Sequence, residues 1–111
     1  MTTRLLSLVF LLATVFGVST ANAQEWPARP INLVVGYAAG GSTDIVARMI
    51  AGPLGARLNG SVVVENKAGA GGTIGAATVA RSAPDGYTLL FSASPELAIA
   101  PALGKAQGYD P

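Results

Sequence analysis

The chain is 111 residues long and half hydrophobic, with seven basic and six acidic side chains and neither histidine nor cysteine. The missing imidazole and thiol exclude histidine acid–base chemistry, cysteine nucleophiles, disulfides and the usual soft metal ligands. With so balanced a charge, neither nucleic acid nor an anionic membrane has an electrostatic claim on it.

The first residues read as an export signal. Arg4 supplies a positive start, Leu5 to Val18 an apolar run, and Ala21-Asn22-Ala23 a small-x-small cleavage site, so residues 1–23 are expected to be removed and the mature chain to begin at Gln24. The run is shorter than the roughly 20 residues that a membrane-spanning helix needs. Without a cysteine there is no lipid anchor, and the expected location is periplasmic. The remaining cations, Arg29, Arg48, Arg57, Lys67, Arg81 and Lys105, are scattered. Gln24 to Pro111 could form one small domain burying only ~60–65% of its unfolded surface. It ends on the turn-like "GYDP" with no closing element. The expectation is a fragment, marginally folded.

Along the chain, Ile31 to Val35 (INLVV) is a short apolar run between Pro30 and Gly36, as in a buried parallel strand. Gly36 to Gly41 is a loop. Ser42 or Thr43 is expected to cap a helix, with Asp44 in its first turn complementing the dipole. Ile45, Val46, Met49, Ile50, Leu54 and Leu58 fall on one helical face, the expected buried one. Pro53 cannot donate to the Met49 carbonyl and predicts a kink or two short helices.

Asn59-Gly60 is a turn, Ser61 to Glu65 (SVVVE) a second strand, and "NKAGAGG" a second glycine-rich loop. Thr73 to Ser82 is a small-residue helix stopped by the Pro84-Asp85-Gly86 turn. Tyr87 to Phe91 is a third strand, followed by the loop "SASPE" and a short helix from Pro95 or Glu96 to about Leu103. This β-α-β-α-β order predicts an open parallel sheet. Ligands of such sheets sit outside the carboxyl ends of the strands. Three loops lie there: Gly36–Ser42, Asn66–Gly72 and Ser92–Ser94.

The first loop, "GYAAGGST", approaches the phosphate-loop pattern, but Ser42 stands where the lysine belongs. Backbone amides at Ala39 to Thr43 would suit one carboxylate or small anion at a helix N-terminus. Equally, Gly40-Gly41 could be only a tight turn. The second loop, "GAGGTIG", places Ile74 where the dinucleotide fingerprint needs its third glycine, and no acid ends the next strand. Close helix–sheet packing by Gly71, Gly72 and Gly75 competes there with backbone contact to a ligand. Ser42, Ser92 and Ser94 lack an activating partner, while Asp44, Asp85 and Glu96 read as helix-start or turn residues. Tyr37 could wall a pocket. No catalytic set emerges, so no enzyme is expected.

Taken in order, "WPARPINLVV", "GYAAGGSTDIVAR", "VVVENKAGAGGTIGA", "APDGYTLL" and "SASPELAIAP" resemble one family closely. It is that of the receptors of tripartite tricarboxylate transporters, the Bug-type extracytoplasmic solute-binding proteins. The resemblance implies an α/β fold of the type II periplasmic-binding-protein kind. Residues 24–111 would supply only an incomplete first lobe with a parallel sheet. It further implies a monomeric receptor without cofactor or metal. Such a receptor would bind a tricarboxylate, dicarboxylate, acidic amino acid or related organic acid and pass it to membrane permease subunits. Carried onto this chain, the family's carboxylate contacts implicate Tyr37, Ala38, Gly40, Gly41, Ser42, Thr43 and Asp44. Ala70, Gly71 and Gly72 follow from the second loop, and Ser92 and Ser94 from the third. Many relatives carry prolines where this chain has Gly36 and Ala39. A dinucleotide-binding enzyme fragment and a ligand-free structural or interaction domain are the rival readings.

Overall fold

The computed structural model describes residues 25–105 and 108–111; the export signal expected at residues 1–23 lies outside them. Strand β1, Ile31–Val35, occupies the middle of a three-stranded parallel sheet. β2, Val62–Asn66, and β3, Thr88–Phe91, flank it. The order is β2-β1-β3, and Leu33 stands opposite both Val64 and Leu89. β1 is buried because it has neighbours on both edges and helices above and below, which is why its sequence is a continuous apolar run. The second strand ends on Asn66, one residue later than the sequence suggests, since pairing runs from Ile31–Val62 to Val35–Asn66.

Helix α1, Ser42–Arg57, joins β1 to β2, and α2, Thr73–Ala80, joins β2 to β3. A 3₁₀ turn, Ala70–Gly72, precedes α2. After β3, a π-helical turn, Pro95–Ile99, runs on into a helical turn, Ala100–Ala102. Among the described residues no helix is long and apolar enough to cross a membrane.

α1 corrects two sequence expectations. Its buried face is not the large apolar one but Asp44, Ala47, Ala51 and Gly55, spaced three, four and four residues apart. Ile45, Val46, Met49 and Ile50 are 52%, 45%, 70% and 42% exposed. The bulk comes instead from the sheet: Leu33 and Val35, with Tyr37, Val62, Val64, Leu89 and Phe91, fill the space over Ala47 and Ala51. Small residues bring the helix axis close. At Gly55 a β-carbon would stand 2.9 Å from the Gly60 carbonyl oxygen, so only glycine fits that approach. The helix also runs through Pro53 as one element, not as two short helices. Pro53 and Met49 lie on the exposed side, where water can take the carbonyl that the proline cannot serve.

The lead into β1 is fastened to the turn before β3. Arg29 meets Asp85 at 3.1 Å and lies 4.0 Å over the Tyr87 ring, while the Ala28 amide donates to the Tyr87 hydroxyl. Asp85 also accepts the Tyr87 amide, closing the turn expected of that residue.

Candidate functional site

The three loops at the carboxyl ends of the strands are bound to one another, and two carboxylates do most of the binding. The first is Asp44. α1 begins at Ser42 after Gly41, and no side chain caps it, contrary to the expectation for Ser42 or Thr43. Asp44 reaches back instead. Its carboxylate accepts from the Gly40 amide at 2.8 Å, from Arg48 Nε at 3.0 Å and from Asn66 Nδ2 at 2.9 Å. Its side chain is buried. Arg48, then the Gly40 amide and Asn66, hold its pKa down to about 2 against the opposing effect of burial.

Asn66 carries this grip to the second loop. Its amide also donates to the Tyr37 carbonyl at 3.0 Å, and its own oxygen accepts from Arg48 Nη2 at 3.1 Å. The last residue of β2 is thereby the bridge between two loops. The sequence reading missed it because it placed Asn66 in the loop itself. Its signal was position, a polar residue ending a buried parallel strand.

The second carboxylate is Glu96, which is fully buried. One oxygen accepts the Tyr37 hydroxyl at 2.6 Å; the other accepts the Ala93 amide at 2.9 Å and lies 3.0 Å from Ser92 Oγ. Ser92 Oγ also lies 2.9 Å from the Ala93 carbonyl oxygen, so its single proton serves one of the two at a time. Burial opposes ionisation of Glu96, but the donations from Tyr37 and the Ala93 amide, with that of Ser92, outweigh it and hold its pKa below the ordinary value. Burial first, and then Glu96 itself, push the Tyr37 phenol up to about 12. The sequence reading gave Glu96 a helix-start role. Its bond to the Ala93 amide is indeed the carboxylate half of a capping box, but the bond to Tyr37 spans the site.

The second loop makes one left-handed turn. Ala70, Gly71 and Gly72 have φ of 47°, 63° and 93°, and the Gly72 amide closes on the Gly69 carbonyl at 3.0 Å. The competing roles of its glycines divide by position. Gly72 and Gly75 are packing residues. A β-carbon on Gly72 would lie 2.7 Å from the Glu96 carboxyl carbon, and one on Gly75 2.8 Å from the Gly36 α-carbon. Gly71, like Gly40, faces open space.

Of the twelve implicated residues, Ala38, Gly40, Gly41, Ser42, Ala70, Gly71 and Ser94 are exposed, and Tyr37, Thr43 and Ser92 half-buried. Asp44 and Gly72 are buried behind them. The hydrogen bonds bring the first and second loops together and draw in Ser92; no bond among the described residues ties in Ser94. The first amides of α1 have no carbonyl within the helix to bond, and they open beside Gly40. Between the second loop and the helical segment after β3 lies a cleft of about 460 Å³, whose lining includes Ala70, Gly71, Thr73, Ile99, Leu103 and Lys105. Among the described residues no three potential metal ligands converge. Chemically the surface offers amides, hydroxyls and a left-handed turn, with both anionic groups already consumed.

Known proteins place this arrangement. A family model described as "Tripartite tricarboxylate transporter family receptor" matches residues 46–111. Protein BugT of Bordetella pertussis is 47% identical over 93 residues, covering 83% of this chain and 28% of its own. Among solved structures, one described as a periplasmic transporter superposes with a TM-score of 0.74 at 46% identity, over 78% of this chain and 29% of that one. MatC from Rhodopseudomonas palustris, solved with bound malate, gives 0.73 at 40% identity, over 77% and 29%. The chain therefore spans less than a third of the length of these relatives.

Proposed function

Since this chain belongs to the tripartite tricarboxylate transporter receptor family, a family of solute receptors rather than enzymes, we propose that its joined loops form one wall of a binding site for a small carboxylate. The observation carrying this is the linkage of the loops: Asn66, through Asp44 and Tyr37, and Glu96, through Tyr37, hold the first loop beside the left-handed turn at Ala70–Gly72 at the carboxyl end of the sheet. Helix-terminal amides favour negative charge without needing a side-chain cation. Arg48 is committed to Asp44 and is not offered to a ligand at the start of α1. A receptor must release what it captures, and recognition led by amides and hydroxyls suits that. The wider role is delivery of the acid, outside the cytoplasm, to the permease subunits of a tripartite transporter. The malate held by MatC supports the ligand class. A dinucleotide is disfavoured because Ile74 stands where its fingerprint needs the third glycine and no acid ends β3.

The test is a nuclear magnetic resonance titration of the isotope-labelled chain with millimolar malate, adipate and citrate. Saturable shifts at the amides of Gly40 to Thr43 and of Gly71 are expected with at least one acid. A spectrum unmoved by all three would refute the receptor reading.

A further inference from the structure

Glu96 lies outside the residues that the family resemblance implicates, and it is the most completely buried acid of the described residues. A carboxylate at an anion site is electrostatically adverse, since it repels the ligand it sits behind. Its retention there needs a compensating role, and its contacts supply one. Through Tyr37 it holds the first loop and through Ser92 and the Ala93 amide the third, and its carboxyl carbon lies 2.7 Å from where a β-carbon on Gly72 of the second would stand. The Tyr109 hydroxyl adds a 2.6 Å bond to the Glu96 carbonyl, fixing its backbone as well. The Tyr37 hydroxyl that Glu96 accepts also lies 3.3 Å from the Gly71 carbonyl of the second loop.

We propose that Glu96 is the positioning residue of the solute site: it holds the three strand-end loops in the one arrangement in which their amides converge on a carboxylate. It acts through Tyr37 and does not touch the solute. This rests on the receptor reading above and extends it to a residue that recognises nothing itself. Three roles for Glu96 then give three different results in one substitution. Glu96→Gln removes the charge at nearly constant shape. If the charge only repelled the ligand, affinity would rise. If Glu96 merely stabilised the fold, the folded molecules would bind as before. If it positions the loops, folded molecules bind about tenfold more weakly, because the new NH2 either faces the Ala93 amide, which can only donate, or faces Tyr37 and turns the hydroxyl's proton away from residue 96 toward the Gly71 carbonyl.

The experiment is the same titration, with malate, adipate and citrate, on the full chain and on Glu96→Gln, each dissociation constant read from resonances of folded molecules. Tyr37→Phe, which keeps the ring and the charge, is the second variant in case the first does not fold. A double variant binding no worse than Glu96→Gln is expected, since both lie on one linkage. Weaker binding by both single variants with dispersed spectra supports the assignment. Unchanged or tighter binding overturns it while leaving the receptor reading intact. Absence of binding by the unsubstituted chain overturns both.

Discussion

Tyr37 and Glu96 meet across 2.6 Å although 59 residues separate them in the chain, and their bond closes the first loop onto the third. The phenol is driven up to about 12 by burial and by the carboxylate beside it. A raised pKa means that the folded state holds the proton more tightly than the unfolded one. The associated stability is therefore complete below pH ~10, the phenol's unfolded value, and is lost as pH rises through about 12. Urea midpoints measured across that alkaline window should fall for the natural chain and fall less for Tyr37→Phe. At neutral pH the same variant should lose roughly 1.5–3 kcal/mol, the range for a hydrogen bond to a charged group. Equal alkaline slopes in the two proteins would place the effect elsewhere.

Asp44 governs the opposite limb. Its pKa is held at about 2 by Arg48, the Gly40 amide and Asn66, so its contribution is present above its unfolded value near 4 and vanishes as pH falls through about 2. Asp44→Asn should flatten the acid limb between those values and lower stability at pH 7. The natural chain and Asp44→Asn are compared directly, and an equally steep acid limb in both would place the effect elsewhere. Calorimetric unfolding from pH 2 to 5 reads both.

The left-handed turn yields a pair of substitutions with opposite signs. Ala70 has φ of 47°, a conformation that costs an L residue with a β-carbon about 1–2 kcal/mol. Ala70→Gly relieves that strain, returns about 0.5–1 kcal/mol as unfolded-state entropy, and should raise stability by up to ~1 kcal/mol. Gly72→Ala should do the reverse, and more severely. Its new methyl would meet the Glu96 carboxyl at 2.7 Å while the backbone sits at φ 93°. Thermal unfolding of the two variants checks the order; a neutral Gly72→Ala would mean that Glu96 can move aside.

How much of this was legible in the sequence depends on where the determining information sits. The strands were legible because "INLVV", "VVVEN" and "TLLF" are short runs bounded by loop residues, and the parallel order followed from the alternation of elements. The buried face of α1 was not. Periodicity identifies which residues lie together, and by size the large apolar ones are expected to face inward. Here the sheet supplies the volume, so the helix turns Ala47, Ala51 and Gly55 inward to come close. Glu96 and Asn66 were illegible for another reason. Each is an ordinary polar residue whose partners are distant in sequence and become neighbours only when β1 lies between β2 and β3.

That misreading of α1 also supplies the sharpest test of the packing. If Ala47 and Ala51 face the sheet, Ala51→Leu must force the helix away from Leu33 and Val35, at a cost of about 1–3 kcal/mol for overpacking. Met49→Lys, on the 70% exposed position, should change stability by no more than about 0.5 kcal/mol. The face expected from periodicity alone predicts the opposite order, with Met49→Lys the damaging change. Pro53→Ala extends the test along the same helix. It restores an amide for the Met49 carbonyl and removes a penalty of about 3 kcal/mol, less the ~0.4–1 kcal/mol by which proline restricts the unfolded chain, so a gain near 2 kcal/mol is expected. Urea denaturation of the three variants reads all of this at once. A damaging Met49→Lys beside a harmless Ala51→Leu would reverse the assignment of the helix face and, with it, the placement of the Asp44 carboxylate under the first loop.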